Sequence, residues 1–243
     1  MKLLRLLTVG ACAALWLLGV PAAQAQGVLL RANVAADTLR PATGPNRAFF
    51  SHFYLGYAAV AGKFDGPGAT LRYGRSGEVF AGMRQKYRLS QTAAIGLDLR
   101  YARLVYHLVQ NDQKILPTPD QHQSESFALP QAQAEVYGRL NLGRRGNVVG
   151  RYLDLTGWGG WIISSAHHYV DKPGPNGAGR VEVTERKLNY INRWSYGVGA
   201  RLGSGRYALV ARYRLTDSFK DLGDAPRYPE FPRLVIGGEL GLF

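Results

Sequence analysis

Residues 78–101 read Glu78-Val-Phe-Ala-Gly-Met-Arg-Gln-Lys-Tyr-Arg-Leu89, then Ser90-Gln91-Thr92, then Ala93-Ala-Ile-Gly-Leu-Asp-Leu-Arg-Tyr101. Val79, Ala81, Met83, Tyr87 and Leu89 alternate with Arg84, Lys86 and Arg88. Past the polar triplet, Ile95, Leu97, Leu99 and Tyr101 alternate with Gly96, Asp98 and Arg100. A period of two is the mark of a β-strand with unlike faces. This hairpin sets full charges against an apolar face. If Leu89 pairs with Ala93 across a three-residue loop, Arg84 falls opposite Asp98, and the expectation is an ion pair.

The same plan continues along the chain. Strands are predicted over residues 48–60, 78–89, 93–109, up to 142, 152–170, 181–202, 207–215 and 233–243. The connections alternate between long and short. The long ones cover residues 62–76, 110–126, 171–180 and 217–232; the short ones lie at Ser90-Gln91-Thr92, around Arg144-Arg145-Gly146-Asn147 and at Gly203-Ser204-Gly205. Pro130 belongs at the upper end of the fourth strand, because proline cannot donate to a ladder. Each strand has at least the ~9–11 residues that cross a bilayer at a tilt. An even number of such strands, with long loops at one end and tight turns at the other, predicts an all-β, eight-stranded, antiparallel up-and-down transmembrane β-barrel.

The N-terminus carries the compartment signal. Lys2 and Arg5 precede an apolar run over residues 6–20, and Ala23-Gln24-Ala25 is a small-x-small cleavage pattern. Residues 1–25 read as a signal peptide cut between Ala25 and Gln26. Residues 26–47 are a periplasmic lead-in with a possible extra strand at 28–34, and residues 48–243 are the barrel. Cys12, the only cysteine, is lost with the leader, so neither a disulfide nor thiol chemistry is expected. Without Lys2 and Arg5 the chain keeps twenty-eight basic against seventeen acidic side chains, a charge of +11. For an exported chain that points to anionic lipid head groups or a polyanionic glycolipid leaflet and away from nucleic acid. No later stretch has the ~20 apolar residues of a spanning helix, so a chain that spans must do so as a closed barrel.

The leader, the eight alternating strands and the terminal Phe243 resemble the small outer-membrane barrels of Gram-negative bacteria, the OmpA/OmpX type, and the glycine- and aromatic-rich strands look like those of Bacteroidota. The resemblance covers residues 48–243 and rests on architecture. It implies a monomer in the outer membrane, with lipids, lipopolysaccharide and the barrel-assembly machinery as partners and no cofactor. Members of that group place their final Phe on the lipid face. Here Phe243 shares a face with Gly241 and Glu239, while Leu234, Ile236, Gly238, Leu240 and Leu242 form the apolar one, so the register of the last strand stays open.

Inward positions hold Arg84, Lys86, Arg88, Arg100, Arg139, Arg193, Arg201, Arg212 and Arg214 against Glu78, Asp98, Glu135, Asp154 and Glu239, an expected excess of four positive charges. Buried charges are costly unless paired, and an eight-stranded interior is just filled by side chains. A packed, salt-bridged lumen is therefore expected, with a narrow anion channel as the alternative. Arg103 and His107 break the apolar face of the third strand. Either Arg103 snorkels to head-group phosphates, or a bulge near Ala102-Arg103 turns Leu104, Tyr106 and Leu108 outward; the bulge is the favoured expectation.

No catalytic, cofactor or metal site is expected. Ser164, Ser165, His167 and His168 are the residues from which a lipid-modifying rim hydrolase could be built, but adjacent histidines point to opposite faces and spacing places no acid beside them. His52 reads as a lumen hydrogen-bonder and His122 as a loop residue; five scattered histidines give no metal-ligand spacing. Gly159-Gly160-Trp161 resembles the Gly-x-Trp of lipocalins, soluble eight-stranded carriers, but lies mid-chain rather than on the first strand. The fifth and sixth strands are longer than a membrane is thick. Their outer parts are expected to project as a polar ribbon able to bind partners by edge addition.

Overall fold

The computed structural model describes residues 44–62, 68–143, 146–221 and 228–243. The leader, the Ala25-Gln26 junction and the extra strand at 28–34 lie outside the described residues.

Among the described residues ten strands form: β1 (Phe49–Ala61), β2 (Gly77–Arg88), β3 (Ala93–His107), β4 (Ser124–Leu142), β5 (Arg151–Ile162), β6 (Ala166–Asp171), β7 (Val181–Arg186), β8 (Trp194–Ser204), β9 (Tyr207–Arg214) and β10 (Leu234–Leu242). Eight of them, β1–β5 and β8–β10, make a closed antiparallel up-and-down barrel, each paired with its neighbour and β1 with β10. The pair β6–β7 is an excursion between β5 and β8. It extends the upper half of β4, where Ser124–Ala128 pairs with Ala166–Val170.

Several boundaries differ from the sequence expectation, each for a local reason. The fifth and sixth strands are not continuous; each is interrupted, at residues 163–165 and 187–193. Pro130 does not end β4, which runs six residues beyond it. Its carbonyl accepts from Ile163 N at 2.9 Å, so its missing N–H faces the same side, where the ladder to β5 stops. Leu129 and Pro130 there oppose three residues, 163–165, and the sheet is bulged. The expected bulge at Ala102-Arg103 is absent: β3 pairs without interruption on both sides. The last short turn is Gly205-Arg206, with Gly205 at φ 60°, and Gly203 sits inside β8.

The outer wall is apolar. Phe53 is 63 % exposed and Leu209 61 %, and Leu97, Leu99, Leu155, Val198 and Leu202 continue the belt. Aromatic side chains mark its two margins: Phe49, Tyr87 and Tyr207 below, Tyr57, Tyr101, Trp194 and Tyr196 above.

Inside, five directly paired positions follow one rule: an inward aromatic on one strand faces a glycine on the next. The pairs are Tyr54 with Gly82, Phe80 with Gly56, Tyr137 with Gly96, Tyr152 with Gly203 and Trp158 with Gly197. Each ring lies over its glycine; a Cβ on Gly96 would meet the Tyr137 ring, and one on Gly203 the Tyr152 ring. The rings in turn carry guanidinium groups. Arg84 lies 4.3 Å from the Tyr54 centroid, Arg100 4.5 Å from Phe80, Arg139 3.6 Å from Tyr152 and Arg212 4.2 Å from Trp158.

Candidate functional site

The interior has three storeys. At the bottom, Phe50, Val149, Tyr152 and Ala208 pack with Phe243, whose ring stands edge-on to Phe50 at 5.5 Å. Phe243 is therefore on the inward face with Glu239, and Ile236 and Leu242 face outward, which fixes the last strand's register. Below them residues 44–47 tuck under the wall: Lys86 donates to Pro45 O, and Arg88 to Asn46 O at 2.8 Å.

The middle storey is an ionic belt. Arg84, 1 % exposed, bridges Asp98 (2.8 Å) on the neighbouring strand and Glu239 (2.5 Å) on β10. Arg139 holds Asp154 through two bonds of 2.7 and 2.8 Å, the fork geometry that makes such pairs strong. Arg201 is the hub, at 2.7 Å from Glu135, 2.8 Å from Asp154 and 3.3 Å from Glu239. Arg100 pairs with Glu78, and Arg212 reaches Glu78 (3.5 Å) and Glu135 (3.7 Å). Tyr54 adds a 2.5 Å hydroxyl bond to Asp98.

The belt has five acids and five arginines, so the expected surplus of four positive charges is not there. Lys86 and Arg88 leave it for carbonyls at the bottom. Arg214 leaves it upward, to Glu230 at 2.8 Å and the Phe231 carbonyl at 3.1 Å. Arg193 lies outside the strands, exposed beside Trp161 rather than inward.

The top storey is an apolar dome. Leu104, Tyr106 and Leu108 point inward, against the expectation that they face out, because the long loops cover them. Leu71, Leu116, Ile191, Phe219 and Phe231 come from those loops, and Tyr106 stacks on Phe231 at 4.1 Å. A cavity of about 20 Å³ lies in this storey near Tyr106 and Arg214, room for about one water molecule.

Beside the dome, β6 and β7 carry a buried polar cluster that spacing did not reveal. His167 bonds Glu125 at 2.7 Å and Glu185 at 3.0 Å, and Glu125 also meets Lys114 at 2.5 Å and Gln110 at 2.8 Å. Burial disfavours charge on both partners. The carboxylate bonds outweigh it and raise the His167 pKa, and the donors around Glu125 lower that of its carboxyl. Two acids thus flank His167, but its hydrolase partners are not in place: Ser165 Oγ accepts from Leu188 N at 2.9 Å, His168 bonds Thr184 at 2.9 Å, and among the described residues neither Ser164 nor Ser165 bonds an imidazole. Among the described residues no group of three or more His, Cys, Asp or Glu side chains is arranged to hold a metal ion. His52 faces the lumen and stacks on Phe50 at 5.2 Å; His122 bonds Asp171 at 2.7 Å.

One further feature is a groove of about 840 Å³ on the outside, under the upper rim, between the wall of β1–β4 and the β6–β7 pair. It was not visible in the sequence, since its lining is gathered from six strands. A scan against protein-family models finds no match to this chain, and a search of the curated proteins finds none either.

Proposed function

We propose that the protein is an integral outer-membrane β-barrel with a structural or surface-interaction role and a closed, salt-bridged lumen. The observation that carries this reading is the inversion of the usual globular pattern. Ionic side chains are buried along the axis, while leucines, valines and aromatic rings are exposed around the wall, an arrangement suited to hydrocarbon outside. The aromatic margins and the grouping of long connections at one end support it further. Its partners on this reading are membrane lipids, lipopolysaccharide and the machinery that inserts barrels, and it works as a monomer without cofactor or nucleic acid.

Cell fractionation and gel mobility test the proposal together. The protein should sediment with outer membranes, require detergent for extraction and migrate differently before and after boiling. Recovery in the soluble fraction without detergent would overturn it. In planar bilayers the pure protein should give no steady conductance, because charge-paired rings, the bottom plug and the dome block the axis in series.

A further inference from the structure

We infer that the outer groove is a binding site for one phosphorylated lipid of the surrounding leaflet, its head-group phosphate held between Arg103 and Arg186 and its acyl chains lying down the wall. The inference rests on the membrane reading above and adds a ligand class and a site to it.

The shape comes first. A barrel wall is convex, so strands as far apart as β1 and β7 should diverge; yet Tyr57 of β1 and Arg186 of β7 line the same cavity. The sheet must curl outward above the barrel, which the bulge opposite Pro130 allows. The floor is one register row, Gly77, Val105, Ala128 and Ala166, small but for the valine. Arg186 ends that row on β7, Arg103 stands two residues below it on β3, and Arg75 precedes Gly77 at its other end. The strands of Arg103 and Arg186 are three ladder spacings apart, about 14 Å, a span that two extended arginines can close around a phosphate.

The charge comes second. The cavity lining contains Arg75, Arg103, Arg186, His107 and His168 and not one carboxylate. Among the described residues none of the three arginines has an ion pair, whereas the acids of β7 are engaged elsewhere, Glu185 with His167 and Glu182 with Arg180. Ser126, Ser164 and Thr184 add hydroxyls to the same lining, that of Thr184 already bonded to His168. Guanidinium forks and hydroxyl donors are the groups that recognise a phosphate monoester or diester.

The mouth decides between a soluble phosphate and a lipid. Level with Arg103 the groove meets Val79, and one step lower Tyr101, the upper edge of the apolar belt. A phosphate docked here has its hydrophobic tails delivered straight into the bilayer, and Arg103, an outward charge at that edge, sits at head-group depth.

The test uses folded protein in phosphatidylcholine nanodiscs doped with bisphosphorylated lipid A or with its dephosphorylated form, read by native mass spectrometry. Wild type should retain one phosphorylated molecule in preference to the dephosphorylated one. The double variant Arg103→Gln/Arg186→Gln should lose that preference by about tenfold or more, as expected for the loss of charge-assisted bonds, whereas Arg151→Gln, outward at the opposite rim, should not change it. Equal retention of the two lipids, no effect of the double variant, or displacement by millimolar inorganic phosphate would each overturn the inference. A chain that keeps its boiling-dependent gel shift but shows no lipid preference fails only here; a chain that never inserts fails the membrane reading itself.

Discussion

The ionic belt and the apolar dome fill the same cylinder by opposite means. In the belt every filler comes from the wall itself: arginines and acids on neighbouring strands, with rings lying over glycines to make room. In the dome much of the filling is imported from the connections, through Leu116, Ile191, Phe219 and Phe231. The difference separates what each storey can tolerate. A belt charge has several partners that burial leaves with no alternative, so loss of one damages the whole wall. A dome side chain belongs to a loop, so its loss should loosen the cap and spare the barrel.

The most damaging way to break the comparison is at the hub. Arg201→Met leaves Glu135 and Asp154 short of a partner, and removing one side of a buried pair costs ~3–5 kcal/mol. Its urea midpoint, followed by gel shift in detergent, should fall sharply. Phe231→Ala removes a ring stacked on Tyr106, a loss of about 3–5 kcal/mol for a buried phenylalanine. Here the cost should appear as protease cleavage near residues 215–233 with little change in the barrel's midpoint; an equal fall in both would erase the distinction between storeys.

A smaller effect tests the packing rule. Gly203→Val drives a side chain into the Tyr152 ring, which supplies the atoms nearest to a Cβ there, and should cost ~1–3 kcal/mol by overpacking. Tyr152→Ala in the same chain should return part of that loss. Additive losses would mean that the ring and glycine are not coupled.

The smallest effect is one of pH, at the side of the dome. Its acid partners raise the His167 pKa, so the contribution to the β6–β7 pair is fully present below about pH 6.5 and declines as pH rises through the raised folded value. Limited proteolysis of that pair should quicken on going alkaline, and His167→Gln should flatten the profile.

These two storeys were not equally legible. Alternation in β2 and β3 was enough to place Arg84 opposite Asp98, because a period of two fixes both face and register once the turn is known. It could not locate Tyr106, since inward apolar positions make sense only when a loop distant in sequence lies over them. The bulge expected at Arg103 failed for a related reason. An outward charge looks like an error of register, yet the strand is continuous and Arg103 lines a groove with residues of five other strands. The acids around His167 arrive from β4 and β7, so no local spacing announces them. The surplus positive charge was misjudged because strand periodicity gives a side chain's direction but not its reach: Arg214 and Lys86 both begin inward and end at carbonyls or acids beyond the belt.

The ring-over-glycine pairs carry a consequence for how this chain can diverge. A lumen position in such a pair has no independent freedom to grow, because the space it would take is already occupied from the adjacent strand. Homologous barrels should therefore record substitutions in couples, a lost ring on one strand accompanied by a gained side chain directly across from it, while the outward positions drift singly among greasy residues.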